Sequence, residues 1–391
     1  MSGRGFLQLP GPTTVPERVQ RAMARPMFNN RGRKMPPLHA AMVERLKAVF
    51  GTERGDVLMF AGSGHAAMEA AVVNLLAAGD RAIAFSAGFF GAIFADILRR
   101  FGADLELVER PAGEAITPEL VLEHLGRDRE HRVVLITVIH NETSTGVTSD
   151  VGAIARAVRA SGHPAMIVVD MVSSLASIES RFDDWGIDVA LAGSQKGLMV
   201  PPGLALTCVS PRARRAAAEV TTPRRFFDWR MMFDSLDQFG FPPTTPPISL
   251  VFGLDEALRM IVDEEQLPAV YRRHHRLAEA LRRAVVAHGL SLLCKDPARV
   301  SNTITAVVMP EGVNGNQVVD LALDRLDLEF AAGLGELAGK IIRIGHMGWL
   351  NELEVVATAA GIEMAMVMAG ARIEPGVGVA AAQRYLLDTR A

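Results

Sequence analysis

The chain reads as an α/β protein with a large domain and a smaller carboxyl-terminal α+β unit. Three observations carry this. Its 391 residues exceed what one ordinary hydrophobic core organises. From residue 56 onward, short apolar runs alternate with amphipathic stretches, the pattern of strands feeding helices. After Pro242-Pro243-Thr244-Thr245-Pro246-Pro247, too proline-rich for a helix or a central strand, the pattern turns to long helices. These shifts divide the chain into an amino-terminal arm at 1–20, a large domain at 21–258 and a small domain at 259–391.

Along the chain, 57–60 reads as a strand, Gly62-Ser63-Gly64 as a turn, and 65–76 as a helix with Ala, Met, Val and Leu at helical spacing. A strand at 81–85 and a helix at 91–100 follow. Residues 132–139 form a β-branched run without polar alternation, as expected of an interior strand covered on both faces. Next come a helix at 151–160, a strand at 165–169 ending on Asp170, and a strand at 189–192 leading into Gly-Ser-Gln-Lys. The carboxyl ends of such strands are where an open α/β sheet gathers ligand groups. Beyond the prolines, helices are expected at 249–262 and 267–288. The tail reads as strand 303–309, helix 316–326, strand 341–344 and helix 351–368.

Composition narrows the function. Hydrophobic residues at 49% and charged residues at 22% match soluble globular proteins and exclude a disordered or fibrous chain. A formal net charge of −3, with no long basic tract, removes the electrostatic basis for binding nucleic acid, so small-molecule partners are expected. Cys208 and Cys294 stand alone in apolar-rich segments, which reads as two core thiols in a reducing compartment rather than a disulfide or a metal site. The amino terminus lacks the apolar stretch of a signal peptide, and no segment has the roughly 18 consecutive apolar residues of a membrane span. A cytoplasmic protein without a membrane partner is expected.

Four places could carry chemistry. Glycines in Gly62-Ser63-Gly64-His65, between strand and helix, let backbone N–H groups close around an anion; a plain βα turn has the same outline. Asp170 at a strand end can hold a bound nitrogen heterocycle protonated, or serve as a cap or ion-pair partner. Lys196, among Ser, Gln and two glycines, becomes a usable amine nucleophile if desolvated, or is simply solvated. Arg343, inside an apolar strand, suits a bidentate grip on a carboxylate, or a strand-edge ion pair. His274 and His275, among Arg272, Arg273 and Arg276, read as a solvated basic face. HExxH, CxxC and GxSxG motifs are absent, so neither a zinc hydrolase nor an elbow-type serine hydrolase is supported.

Taken in order, the glycine turn, the strand-end Asp and a Lys 26 positions later (196 − 170) resemble the class V aminotransferases, pyridoxal 5'-phosphate (PLP) enzymes of fold type I. The resemblance runs nearly end to end through Pro10-Gly11-Pro12-Thr13, Ser63-Gly64-His65, His140-Asn141-Glu142-Thr143-Ser144-Thr145-Gly146-Val147, Ser194-Gln195-Lys196 and Arg343-Ile344-Gly345-His346. It is greatest to the serine–glyoxylate and alanine–glyoxylate aminotransferases. It implies a large domain with a mostly parallel seven-stranded sheet, a smaller carboxyl-terminal α+β domain, and a homodimer with shared active sites. It further implies that Lys196 bonds PLP as a Schiff base and Asp170 pairs with the pyridine nitrogen. Ser63, Gly64, His65 and Gln195 would contact the phosphate, Phe90 would stack on the ring, Thr143 would lie near its phenolic oxygen, and Val172 would pack on the opposite face. Arg343 would hold the substrate carboxylate, with Gly11 on the same side. Small amino acids, serine foremost, and 2-oxo acids such as glyoxylate are the implied substrates. Alanine, aspartate, 3-hydroxyaspartate and free pyridoxamine are alternative donors, and a cysteine-desulfurase-like lyase is the rival chemistry. Two positions depart from the family: Asn30 stands where many relatives carry histidine, and 241–245 lacks a tyrosine that reaches the partner's phosphate, leaving Thr244 or Thr245 to replace it.

Overall fold

A computed structural model describes residues 5–389; residues 1–4 of the expected arm and 390–391 of the tail lie outside the described residues. The chain opens with a two-residue strand, β1 (Phe6–Leu7). Then follow β2 (Asp56–Gly62), β3 (Arg81–Ser86), β4 (Asp104–Glu109), β5 (Val133–Ile139), a small hairpin of β6 (Asn141–Glu142) and β7 (Val147–Thr148), β8 (Met166–Asp170), β9 (Val189–Gly193) and β10 (Gly203–Val209). Seven of these make one sheet in the order β2-β10-β9-β8-β5-β3-β4. Pairing is parallel from β9 to β4, and β10 alone runs against its neighbours. The sheet is therefore mostly parallel and seven-stranded.

Its strands are apolar because helices cover both faces. One buried cluster joins Ile83, Phe85, Ile136, Val138, Ile167 and Val169 to Val151, Ile154 and Val158 of the helix Val151–Ala160. A second joins Leu58, Phe60, Leu135, Val168 and Leu191 to Met68 and Val72 of the helix Gly64–Leu75 and Phe94 of the helix Phe89–Arg100. Residues 133–139, buried almost throughout, sit inside the sheet between β3 and β8. The alternation of strands and helices expected along 57–192 thus appears with its strands in register and its carboxyl ends together.

Toward the carboxyl terminus, β11 (Ser291–Leu292), β12 (Ile304–Val308), β13 (Leu328–Glu329), β14 (Ala331–Ala332) and β15 (Ile341–Gly345) follow in chain order. Four form an antiparallel sheet, β11-β12-β15-β14. Its core includes Leu281, Val307, Val318, Ile342, Ile344 and Ile362. The helix Glu352–Met368 begins on a capping box between Asn351 and Glu354. The arm is tied to this unit, since β1 pairs in parallel with β13 and Gly345 N–H donates to Gln8 O at 2.6 Å.

Two expectations need correction. The helix expected over 249–262 is α-helical only at Ile248–Leu258 and continues as a π-helix over Arg259–Glu265. His274 is not on a solvated face: it is buried, its Nδ1 bonds Val270 O at 2.8 Å, and its Nε2 accepts Gly348 N–H at 3.0 Å. It shares the inward face of the helix Leu267–Ala287 with Val270, Leu277 and Leu281, while His275 points out. Cys208 and Cys294 are free and buried, as expected. No described helix is long and apolar enough to cross a membrane.

Candidate active site

Strand ends and helix starts at one edge of the large sheet line a cavity that opens to solvent. Its lining brings together Gly64, His65, Phe90, Thr143, Asp170, Val172, Gln195 and Lys196, which the sequence spreads over more than 130 positions. Each arrives by a local rule. Asp170 ends β8, Gln195 and Lys196 follow β9, Gly64 starts the helix after β2, and Phe90 lies in the first turn of the helix after β3.

Asp170 is buried among apolar strands, and this desolvation pushes its carboxyl up to about 7, against a hydrogen bond from Val172 N–H at 2.6 Å. Lys196 is half-buried, and desolvation brings its ammonium down to about 8 although Asp170 pulls the other way. Its Nζ contacts the carbonyl of Pro10 in the arm. Thr13 closes the same seam, donating its N–H to Gln195 O and its Oγ1–H to Lys196 O. Gly11 has φ +98°, and a Cβ there would stand 2.6 Å from Lys196 Nζ, so only glycine lets the arm pass the lysine.

At the glycine turn, Gly64 lies against Val172; a Cβ on it would come within 2.7 Å of Val172 Cγ2. The helix Gly64–Leu75 starts without a side-chain cap from Ser63, which leaves its first N–H groups facing the cavity edge. Gln195 Oε1 is buried and unpaired. Arg343 is buried beside the cavity, donating Nε to Ala332 O at 2.8 Å and Nη1 to Thr143 O at 3.2 Å. Among the described residues it has no carboxylate partner, and burial brings its guanidinium down to about 10, partly offset by Glu142.

These residues fit a phosphorylated pyridine aldehyde. Phe90 and Val172 offer the walls for a flat ring, Asp170 an acid for a ring nitrogen, Lys196 an amine for a carbonyl, and the uncapped helix start with Gln195 a polar end for an anion. Not all expected residues meet in this cavity. Ser63 sits at its edge, Gly11 against Lys196 and Arg343 behind Thr143; Thr244 and Thr245, in the loop before the helix Ile248–Leu258, do not line it. Asn141, Glu142 and Ser173 were not singled out by residue type. Asn141 donates to Ser173 Oγ at 2.8 Å and to Thr303 Oγ1 at 2.9 Å, tying the large sheet to the residue before β12. The sequence carries a signal for them: a polar pair just beyond an apolar interior strand has to find buried partners. No group of three or more His, Cys, Asp or Glu among the described residues could hold a metal ion.

The class V aminotransferase family model matches residues 6–336. A serine–glyoxylate aminotransferase of Methylorubrum extorquens is 42% identical over 99% of this chain and 97% of its own length. An L-aspartate–glyoxylate aminotransferase of Paracoccus denitrificans is 39% identical over 100% of this chain and 98% of its own. In structure, a pyridoxamine–pyruvate aminotransferase of Mesorhizobium loti superposes with a TM-score of 0.93 at 28% identity, covering 100% of this chain and 98% of the other.

Proposed function

The chain belongs to the class V aminotransferases, and from that premise we propose that it uses PLP to move an amino group from serine to glyoxylate, giving hydroxypyruvate and glycine. One observation carries the chemical part of the reading: a single cavity holds a lysine amine and an acid whose proton affinities desolvation has shifted toward each other. When bound, PLP supplies a carbonyl that takes up the amino group and a ring that accommodates the electron pair released at the substrate α-carbon. The chain supplies the rest. Lys196 Nζ would anchor the cofactor carbonyl and, when free, would be the base that takes the substrate α-proton. Asp170, as an anion, keeps the ring nitrogen protonated. Gly64, His65 and Gln195, with Ser63 at the helix start, hold the phosphate. Phe90 and Val172 would pack the two ring faces and exclude water, and Thr143 would lie near the ring oxygen. Arg343 holds the donor and acceptor carboxylates, an assignment supported by its buried position without an internal acid partner.

A homodimer with shared active sites is part of the reading. Two features support it: Thr244 and Thr245 lie away from their own cavity, and Asn30 keeps a buried Nδ2 without a partner. Arm 1–20, large domain 21–258 and small domain 259–391 are the working units, supported by a second core around Leu281, Val307, Ile342 and Ile362, while the large core reaches past residue 258 to Val270 and Cys294. A cytoplasmic location accords with two free cysteines.

The test is a half-reaction. The PLP form is mixed with serine, alanine, aspartate, 3-hydroxyaspartate or cysteine, one at a time, and the decay of the bound cofactor's visible absorption is timed. Serine is expected to react fastest. A faster aspartate or alanine reaction reassigns the donor, and decay with none of them overturns aminotransferase function. Free pyridoxamine with pyruvate is the further arm. Sulfide release from cysteine would indicate a desulfurase, against which both thiols are buried and outside the cavity lining.

A further inference from the structure

The helix Phe89–Arg100 carries Phe90 to the cavity, yet it begins without the usual means of holding a helix start. Its N-cap is Gly88, it has no side-chain cap of its own, and its first turn contains no acid. The missing acceptor comes from another strand. Glu142, in β6 and wholly buried, accepts the N–H groups of Phe90 and Gly91 on Oε2, each at 3.1 Å. Its Oε1 accepts Ser144 N–H at 3.0 Å and Ser144 Oγ–H at 2.6 Å, and Ser144 Oγ in turn accepts Phe89 N–H at 2.9 Å. All four partners of the carboxylate are donors, and two lie at the positive end of a helix, so these bonds favour the anion against the burial that pushes the carboxyl up.

Ser144 and Glu142 flank Thr143. The same carboxylate therefore fixes the turn whose Thr143 carbonyl accepts Arg343 Nη1. A further backbone bond, Gly146 N–H to Glu142 O at 2.9 Å, closes that turn. Space around the clamp is tight, because a Cβ on Gly88 would stand 2.9 Å from Glu142 Cγ.

We propose that Glu142 is a positioning residue: one carboxylate holds both the helix start that presents Phe90 and the loop carbonyl that orients Arg343, so that the cofactor seat and the carboxylate grip are set together. The inference rests on reading this cavity as the PLP site. It predicts a defect at two places from one change. In Glu142→Gln, the side-chain amide must turn a donor toward two of the four donors, which frees one half of the clamp.

The experiment measures the PLP dissociation constant by titrating apo protein with PLP, and donor KM and kcat with the loaded enzyme, for wild type, Glu142→Gln, Phe90→Leu and the double variant. Ser144→Ala breaks the same clamp and replaces Glu142→Gln if the latter does not accumulate folded. Loss of charge-assisted hydrogen bonds of this kind is expected to raise the PLP dissociation constant about tenfold, with donor KM rising more than kcat falls. In the Phe90→Leu background, the Glu142→Gln effect on PLP affinity is expected to shrink, since part of it acts through Phe90. PLP affinity and KM both within twofold of wild type, or effects that multiply fully in the double variant, overturn the proposal. Failure of wild-type apo protein to bind PLP overturns the reading of the cavity itself, and the two failures are thereby told apart.

Discussion

Asp170 and Lys196 are moved by one cause, burial, in opposite directions. For Asp170 the folded value, about 7, lies above the unfolded one, so its contribution to stability is full below 3.8 and lost as pH rises through about 7. For Lys196 the folded value, about 8, lies below the unfolded one; its contribution is present above 10.5 and lost as pH falls through about 8. Each group is thus a burden on the empty protein in the charge state that function requires of Asp170 or that neutral pH imposes on Lys196. Asp170→Asn is expected to raise the melting temperature of the apo protein at pH 8, by on the order of 2 °C or more, while weakening PLP binding. Calorimetry of the apo and loaded forms checks both signs. The same two values make PLP uptake pH-dependent. A neutral Nζ and an anionic Asp170 both become more abundant as pH rises, so the rate of PLP capture by apo protein is expected to climb between pH 6 and 9, as stopped-flow absorbance would show. A flat profile would contradict the roles given to both groups.

At the scale of elements, the glycine turn after β2 does more than reverse the chain. Gly64 packs on Val172, which follows β8, so two strand ends are held at contact distance. Gly64→Ala is expected to push Val172 toward the ring seat and weaken PLP binding by about tenfold, about the effect of 1.4 kcal/mol, with far-ultraviolet circular dichroism unchanged. Equal affinity would show that Val172 does not pack on the cofactor. The helix Leu267–Ala287 teaches a different lesson. The three arginines around His274 in sequence suggest a solvated face, but helical spacing puts it on the face of Val270, Leu277 and Leu281. Neighbours in sequence on a helix point apart, and position on the face outranks neighbour type. His274→Ala leaves Gly348 N–H unpaired and is expected to cost about 1–3 kcal/mol in urea unfolding. The strand and helix alternation over 57–192 was readable because periodicity is a local property. The antiparallel direction of β10 is not legible in the same way, because strand direction is set by the neighbours a strand pairs with and not by its own periodicity.

Across the whole molecule, the site is assembled from parts that the chain order keeps far apart. Residues 6–13 run from β13 past Gly345 to the backbone of Gln195 and Lys196, so the arm joins the small unit to Lys196. Deleting residues 1–13 removes the Pro10 carbonyl and both Thr13 contacts. The truncated protein is expected to bind PLP more weakly by at least about tenfold, measured by titration of apo protein. Unchanged affinity would reduce the arm to packing.

By itself the sequence determined the α/β layering, the strand-end positions of Asp170 and Lys196, and the glycine turn, because each depends on residues within one or two turns of chain. Only the tertiary structure decided that Glu142 caps a helix 52 residues earlier and that Arg343 bonds a carbonyl 200 residues away. It alone decided, too, how far Asp170 and Lys196 depart from ordinary acids and amines. Desolvation is a property of whatever closes over a group, and those covering residues come from β8, β9 and the arm at once.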